Sequence, residues 1–328
     1  MRAPRFWGNP PSRPGWMATA LAPFGWLWAV VTAWRLARGP RVRLGAPVIC
    51  VGNLTAGGAG KTPTVIALVE RLRARGVETH VISRGHGGSL KGPVRVDERR
   101  HRADEVGDEP LLLAAFAPVW IGRDRAAAGR AAVAAGARAL VMDDGFQNPS
   151  IAKDLSLVVV DAGFGFGNGR VMPAGPLREP VAAGMARADL LLCIGAPEAR
   201  TAFARTWPEG AGALAGELRP LRTGMDWGGL RALAFAGIGR PEKFFESLRA
   251  LGADLVATRA FADHEPYAPR ILARLEAEAR LKGAQLVTTE KDAARLPPAF
   301  LPKVLVLPVR LELLDWAPLD AAFGHLGL

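Results

Sequence analysis

Short apolar runs alternate with amphipathic stretches along most of the chain. The runs at 46–51, 78–83, 119–122, 137–142, 154–160 and 188–194 are near-continuous in Val, Ile, Leu and Ala. That is the pattern of strands buried on both faces of a parallel sheet. Between them, apolar residues recur three and four apart, as at Val65, Leu68, Val69 and Leu72, which predicts a helix over 62–75. A second helix is predicted over 124–135. A third starts at Gly107-Asp-Glu-Pro110, where acidic residues precede a proline and an apolar run. Residues 91–106 are charged and broken by Gly and Pro, and the stretches 164–170 and 173–180 read as long loops. Residues 196–229 carry no clear period. Beyond them, strands at 230–236, 253–258, 285–288 and 304–309 alternate with helices at 241–251 and 266–281. No internal repeat is present, and the alternation predicts an α/β fold in two lobes, 41–225 and 226–328.

The first 40 residues follow a different rule. Residues 14–34 carry no charge, and arginines flank them at 2, 5 and 13 and at 35, 38, 41 and 43. Five of the nine tryptophans (Trp7, Trp16, Trp26, Trp28, Trp34) fall here, and tryptophan favours the boundary between membrane and water. The apolar stretch is barely long enough to span a bilayer, and Pro23 and Gly25 interrupt its middle. The expected element is an N-terminal membrane-associated helix over 1–40, lying in the interface with its arginines on acidic headgroups. A single span and a buried core helix are the competing readings. A cleaved signal peptide is not, because no small-residue cleavage site follows.

One turn concentrates the candidate chemistry. The stretch Cys50-Val-Gly-Asn-Leu-Thr-Ala-Gly-Gly-Ala-Gly-Lys-Thr-Pro63 lies between a predicted strand and a predicted helix, the context of a phosphate-binding loop. Glycines let successive backbone N–H groups curl around an anion, and the helix aims its free N–H groups at the same point. Thr55, Gly57, Gly58, Ala59, Gly60, Lys61 and Thr62 are therefore the expected ATP-binding residues. Lys61 would reach the β/γ-phosphates and Thr62 would hold Mg²⁺. The first glycine of the general pattern is replaced by Thr55. Asp143 and Asp144 end the strand at 137–142, where a carboxylate points into the ligand crevice of an α/β sheet and can reach a metal. The core is thus expected to be P-loop NTPase-like. Asp108 alone reads equally well as a helix cap, and His264 as a structural residue on a polar tip.

Composition narrows the partners. A net charge of +11 favours anionic ones: nucleic acid, phosphorylated small molecules or an anionic membrane. No RNA-binding or zinc-finger signature is present, so nucleic acid is set aside. Cys50 and Cys193 sit in apolar runs without metal-ligand spacing and are expected to be buried, inert thiols.

Taken together, the ordered motifs resemble the tetraacyldisaccharide 4′-kinase family of lipid A biosynthesis. The resemblance runs through Gly52-Asn-Leu-Thr-Ala-Gly-Gly-Ala-Gly-Lys-Thr-Pro63, Ser83-Arg-Gly, Gly107-Asp-Glu-Pro110 and Asp143-Asp-Gly-Phe-Gln147. It continues with Gly175-Pro-Leu-Arg-Glu-Pro180, Phe261-Ala-Asp-His264 and Thr289-Glu-Lys-Asp292. It implies transfer of the γ-phosphate of ATP, with Mg²⁺, to the 4′-hydroxyl of a tetraacylated disaccharide 1-phosphate at the cytoplasmic face of the inner membrane, by a peripheral or monotopic monomer. It further implies Asp108 as base with His264 as its orienting partner, Lys61 and Thr62 at the nucleotide, and Asp143 at the metal. Asp144, Glu109, Arg178 and Glu179 match other motif positions, with Arg178 a candidate phosphate clamp. The rival readings are a P-loop kinase of a soluble metabolite, a P-loop ATPase switch acting on a partner protein, and a membrane adaptor. Ala56 stands where the partitioning ATPases carry an extra lysine, which counts against the switch.

Overall fold

The apolar runs pair edge to edge in two sheets. The computed structural model describes residues 3–328, so Arg2, one of the flanking basic residues, lies outside them. The N-terminal segment forms α1 (Trp16–Ala20) and α2 (Ala22–Arg38). The large sheet and its helices follow as β1 (Val48–Gly52), α3 (Lys61–Ala74), β2 (Thr79–Ser83), β3 (Val94–Arg95), α4 (Ala103–Val106), α5 (Asp108–Leu113), β4 (Val119–Ile121) and α6 (Arg125–Ala134). They continue with β5 (Ala139–Asp143), β6 (Leu155–Asp161), α7 (Val181–Met185), β7 (Leu190–Ile194), α8 (Pro197–Thr206) and β8 (Leu214–Pro220). The second sheet is built from β9 (Arg231–Ala236), α9 (Pro241–Ala250), β10 (Asp254–Ala260), α10 (Pro269–Leu281), β11 (Gln285–Thr289), α11 (Glu290–Ala293) and β12 (Val304–Leu307). The chain ends with β13 (Val309–Leu313) and α12 (Ala317–His325).

The large sheet has the order β13-β8-β7-β6-β1-β5-β2-β4-β3 and the small one β10-β9-β11-β12. Every pairing is parallel except those of the edge strands β3 and β13. The expected mixed α/β architecture with a large, mostly parallel sheet is therefore what the chain adopts. β1 lies at the centre, with β5 on one side and β6 on the other. Strand order reverses there, so the crevice for a ligand opens beyond the carboxyl ends of β1, β5 and β6. Val51, Val65, Leu68 and Val69 fill the core under α3. Cys50, Phe146 and Phe166 belong to the core on the opposite face. Burial pushes the Cys50 thiol up to about 12 and the Cys193 thiol up to about 11, so neither ionises near neutrality.

Several elements depart from the sequence pattern. The stretch without a clear period contains α8 and β8, and the loop at 91–106 contains β3 and α4. The single strand predicted at 304–309 is two strands in different sheets. Pro308 separates them, and a residue with a fixed φ and no N–H cannot continue a ladder. Residues past 308 therefore return to the large sheet rather than staying in the lobe predicted at 226–328. There α12 packs beside α3, with Arg75 Nη1 3.2 Å from Asp320 Oδ1.

The N-terminal segment also differs in detail. Pro23 sits in the first turn of α2, where its missing N–H costs nothing. Gly25 is buried, and a Cβ there would come within 2.7 Å of the Val171 carbonyl oxygen. Both residues fit a helix packed on the 170–174 loop and do not break it. Among the described residues no helix is long and apolar enough to cross a membrane. Trp26 is 70% exposed and Trp34 55%, which removes the buried core helix.

Gly52 at the end of β1 is a sensitive point, because a Cβ there would lie 2.3 Å from Cβ of the fully buried Phe146. Gly52→Ala is expected to cost about 1–3 kcal/mol by overpacking. Thermal unfolding should show a melting point several degrees lower, and an unchanged one would contradict this packing.

Candidate active site

The loop after β1 owes its shape to a neighbouring segment as much as to its glycines. Thr55 forms an isolated antiparallel bridge with Leu177. The Ala56 amide donates to the Pro176 carbonyl (2.7 Å) and the Arg178 amide to the Leu54 carbonyl (2.7 Å). Position 55 is therefore extended backbone, which suits a β-branched residue and needs no glycine. Left-handed backbone is needed at Gly57 (φ +114°) and Gly60 (φ +93°). A Cβ at Gly60 would also meet Ile194 Cδ1 at 2.7 Å, whereas one at Gly57 or Gly58 would meet nothing within 4 Å. Open space thus lies over Gly57 and Gly58. Lys61 and Thr62 are the first two residues of α3, and the Thr64 hydroxyl closes the turn by donating to the Gly60 carbonyl (2.8 Å).

Lys61 is held from two sides. Its Nζ donates to Asn53 Oδ1 (3.3 Å) and lies 3.7 Å from Asp144 Oδ1. Arg178 grips Asp144 with both guanidinium nitrogens, at 2.7 and 3.2 Å. Burial opposes the charge of Asp144, but Lys61 and Arg178 outweigh it and hold the carboxyl well below the usual range. Glu179 is buried behind them. It accepts from Arg187 (2.5 Å) and from Gln147 (2.9 Å), and Gln147 Oε1 in turn accepts from Arg178 (3.3 Å). Glu179 thus braces Arg178 through Gln147.

Asp143 is the odd member. It is fully buried, and among the described residues its Oδ1 has no hydrogen-bond partner while its Oδ2 accepts only from Ser83 Oγ, at 3.4 Å. Burial, then the carboxylates of Glu109 and Asp144, push it up to about 7. An orphaned carboxylate oxygen at the tip of β5, the strand paired with β1 whose loop leads to Thr62, fits a divalent cation. Among the described residues no cluster of three ligating side chains forms a cage. Mg²⁺ takes one or two protein carboxylates and the oxygens of a phosphate, and Asp143 can supply such a carboxylate.

The second lobe closes the crevice. Gly239, between β9 and α9, stands so near the loop that a Cβ on it would lie 3.1 Å from the Gly58 nitrogen. Beside it, Arg240 (2.9 Å) and Lys243 (2.5 Å) both reach Asp161 Oδ2 at the end of β6. Across the same gap, His264 Nδ1 meets Asp108 Oδ1 at 3.0 Å and Oδ2 at 2.9 Å. Asp108 does not cap its own helix. It follows Gly107, whose φ of +92° turns the chain, and within its own helix its carboxylate accepts from the next amide, Glu109 N (2.9 Å). Burial works against its charge, but the His264 hydrogen bond, Lys291 and Arg295 prevail and its pKa is lowered. The same hydrogen bond raises that of His264. Lys291 completes the group, with its Nζ 3.1 Å from Glu109 Oε1 and 3.3 Å from His264 Nε2.

All fourteen residues singled out from the sequence lie around this crevice or directly behind it. Sequence reasoning missed Asp161, Arg240 and Lys243. It quoted Asn53, Ser83, Gln147 and Lys291 within motifs but gave them no part. A polar residue next to a motif carries no periodic signal, and only the fold shows which neighbour it faces. Chemically, the crevice joins an anion-binding loop with a lysine, an unpartnered carboxylate suited to a metal, and an ionised carboxylate paired with an imidazole. These are the parts that phosphoryl transfer to a hydroxyl requires.

Known proteins agree with that chemistry. The model of the tetraacyldisaccharide-1-P 4′-kinase family matches residues 17–326. A tetraacyldisaccharide 4′-kinase from Dinoroseobacter shibae is 62% identical, over 99% of this chain and 98% of that protein. One from Jannaschia sp. is 58% identical, over 98% of each. The crystal structure of LpxK from Aquifex aeolicus in complex with ATP superposes with a TM-score of 0.73 at 25% identity, covering 94% of this chain and 99% of that one. With its loop, its crevice and its sequence all in accord, this chain belongs to the tetraacyldisaccharide-1-P 4′-kinase family.

Proposed function

We infer that this crevice transfers the γ-phosphate of ATP to the 4′-hydroxyl of tetraacyldisaccharide 1-phosphate, giving lipid IVA in lipid A biosynthesis. The observation that carries the reading is the Asp108–His264 pair, which one lobe presents to the other beside the loop that ends in Lys61. The N–H groups of Gly57 to Lys61 bind the phosphate chain, and Lys61 neutralises charge on its terminal oxygens. Thr62 and Asp143 would hold Mg²⁺, which supplies further neutralisation of the β- and γ-phosphates. As the sugar oxygen bonds to the γ-phosphorus and the bond to ADP breaks, the hydroxyl proton passes to the Asp108 carboxylate. His264 keeps that carboxylate oriented, and its contact with Asp108 shields the site from water.

The substrate's acyl chains account for the N-terminal segment. Each buried CH₂ holds such a lipid in the bilayer by about 0.8 kcal/mol, so the enzyme must come to the surface. Trp16, Phe24, Trp26, Leu27, Val31 and Trp34 form an exposed apolar face, with Arg35 and Arg38 at its end. Trp28 of the same helix donates to the Arg178 carbonyl (3.2 Å), which places this face beside the crevice. The reading is of a monomer resting on the cytoplasmic face of the inner membrane.

The direct test is incubation with ATP, Mg²⁺ and the disaccharide 1-phosphate lipid, followed by mass spectrometry. One added phosphate on the sugar distal to the 1-phosphate is expected, and an unchanged lipid would refute the reading. Lys61→Ala should lower turnover on the order of 10²–10³-fold through loss of charge stabilisation. Asp108→Asn should lower kcat on the order of 10²–10⁴-fold while ATP affinity, read by calorimetry, stays near wild type. Replacing Trp16, Trp26 and Trp34 together with Ser should weaken sedimentation with anionic vesicles and leave the melting temperature unchanged.

A further inference from the structure

The candidate roles above leave one ion unused at the centre of the site. Lys291, in α11, has three N–H donors and no acceptor. Three acceptors surround it: Glu109 Oε1 at 3.1 Å, His264 Nε2 at 3.3 Å and Asp263 Oδ1 at 3.5 Å. Glu109 belongs to the large-sheet lobe, and the other two lie on the loop after β10, so one ammonium ties three groups across the gap. Its side chain is only 18% exposed. Burial opposes its charge, but Glu109, Asp108 and Asp263 outweigh that and raise its pKa. It therefore stays charged throughout the working range of the enzyme.

A permanent ammonium beside an imidazole nitrogen has a definite consequence. It can hydrogen-bond to Nε2 only if that nitrogen carries a lone pair, so the ring proton must sit on Nδ1. Nδ1 is the nitrogen that faces both oxygens of Asp108. We propose that Lys291 is a positioning residue for phosphoryl transfer, holding His264 in the Nδ1–H tautomer aimed at Asp108 and opposing a second proton on the ring. This rests on Asp108 being the base. A second proton on the imidazole would draw Asp108 into a fixed ion pair and weaken it as a proton acceptor.

The other groups facing His264 set the balance. Asp108 favours its charged form, and so does Asp263, whose Oδ1 lies 3.7 Å from Nε2. Burial and Lys291 favour the neutral ring, and Arg295 Nε stands beyond it, 3.6 Å from Asp108 Oδ2. The His86 ring stands edge-on at 5.8 Å. Lys291 is the only cation among the described residues in contact with the ring itself. Without it, His264 would keep its proton to higher pH.

Two measurements decide the matter. In the full chain carrying ¹⁵N-labelled histidine, long-range ¹H–¹⁵N spectra at mildly alkaline pH should show His264 protonated at Nδ1 with a bare Nε2. The signal is assigned against His264→Gln. An Nε2–H tautomer would overturn the proposal, and this readout needs neither turnover nor a Lys291 variant. Separately, Lys291→Met should move the acid limb of the kcat–pH profile upward by roughly one unit, the scale of one lost neighbouring charge. Lys291→Arg, which keeps the charge, should leave the limb in place even where kcat falls. A limb unmoved in the Met variant, or moved equally in both, contradicts the assignment. If the wild-type protein left the lipid unphosphorylated, the kinase reading would fall, and the tautomer spectrum would still decide the role of Lys291.

Discussion

The structure depends on a carboxylate that cannot be buried alone. Asp108 is almost wholly excluded from water, and within its own lobe it accepts a single backbone hydrogen bond. An uncompensated buried carboxylate costs several kcal/mol, so the groups that compensate it must come from elsewhere. They come from the other lobe: the His264 ring, hydrogen-bonded at 2.9 Å, and the charges of Arg295, at 3.6 Å, and of Lys291. The need to satisfy Asp108 is thus the same physical fact as the apposition of the lobes. A site divided between two lobes also gives a natural means of admitting one substrate before the other, since separation would dismantle the base.

Two residues of the site pay for their placement in backbone strain. Asp144 (φ +46°) and His264 (φ +60°) adopt left-handed conformations without being glycine, at about 1–2 kcal/mol each. In both cases the strain is held by polar contacts. Arg178 and Lys61 fix Asp144, with Arg125 donating to its carbonyl (2.9 Å), while Asp108 and Lys291 fix His264. Behind His264, Asp292 accepts from the Gly237 amide (2.8 Å) and the Tyr267 hydroxyl (2.7 Å) and pairs with Arg295. The turn that carries the imidazole is therefore anchored to buried charge, not left as a free loop.

Much of this was legible in the chain itself, for identifiable reasons. Strands buried on both faces give continuous apolar runs, so β1, β5, β6 and β7 stand out, and a Gly-rich turn before a helix has few other uses. The return of β13 to the large sheet was hidden, because Val304–Val309 is one apolar run and only Pro308 marks the change of partner. Thr55 looked like a defect in the loop until its bridge to Leu177 made it extended backbone. Lys291 and Asn53 were hidden for a different reason: their importance lies in what they face, and facing is a property of the folded chain. Pro23 and Gly25 misled in the opposite sense, since they fit α2 to its neighbour where they looked like interruptions.

The central claim is that one nucleotide phosphate lies between the two lobes, with Lys61 on one side and the Asp108–His264 pair on the other. Its most direct test is a crystal structure of the full chain with Mg²⁺ and a non-hydrolysable ATP analogue. The account predicts the terminal phosphate over Gly57–Lys61, in contact with the lysine and open toward Asp108. A nucleotide bound elsewhere, or a terminal phosphate walled off from Asp108 by the protein, would contradict it.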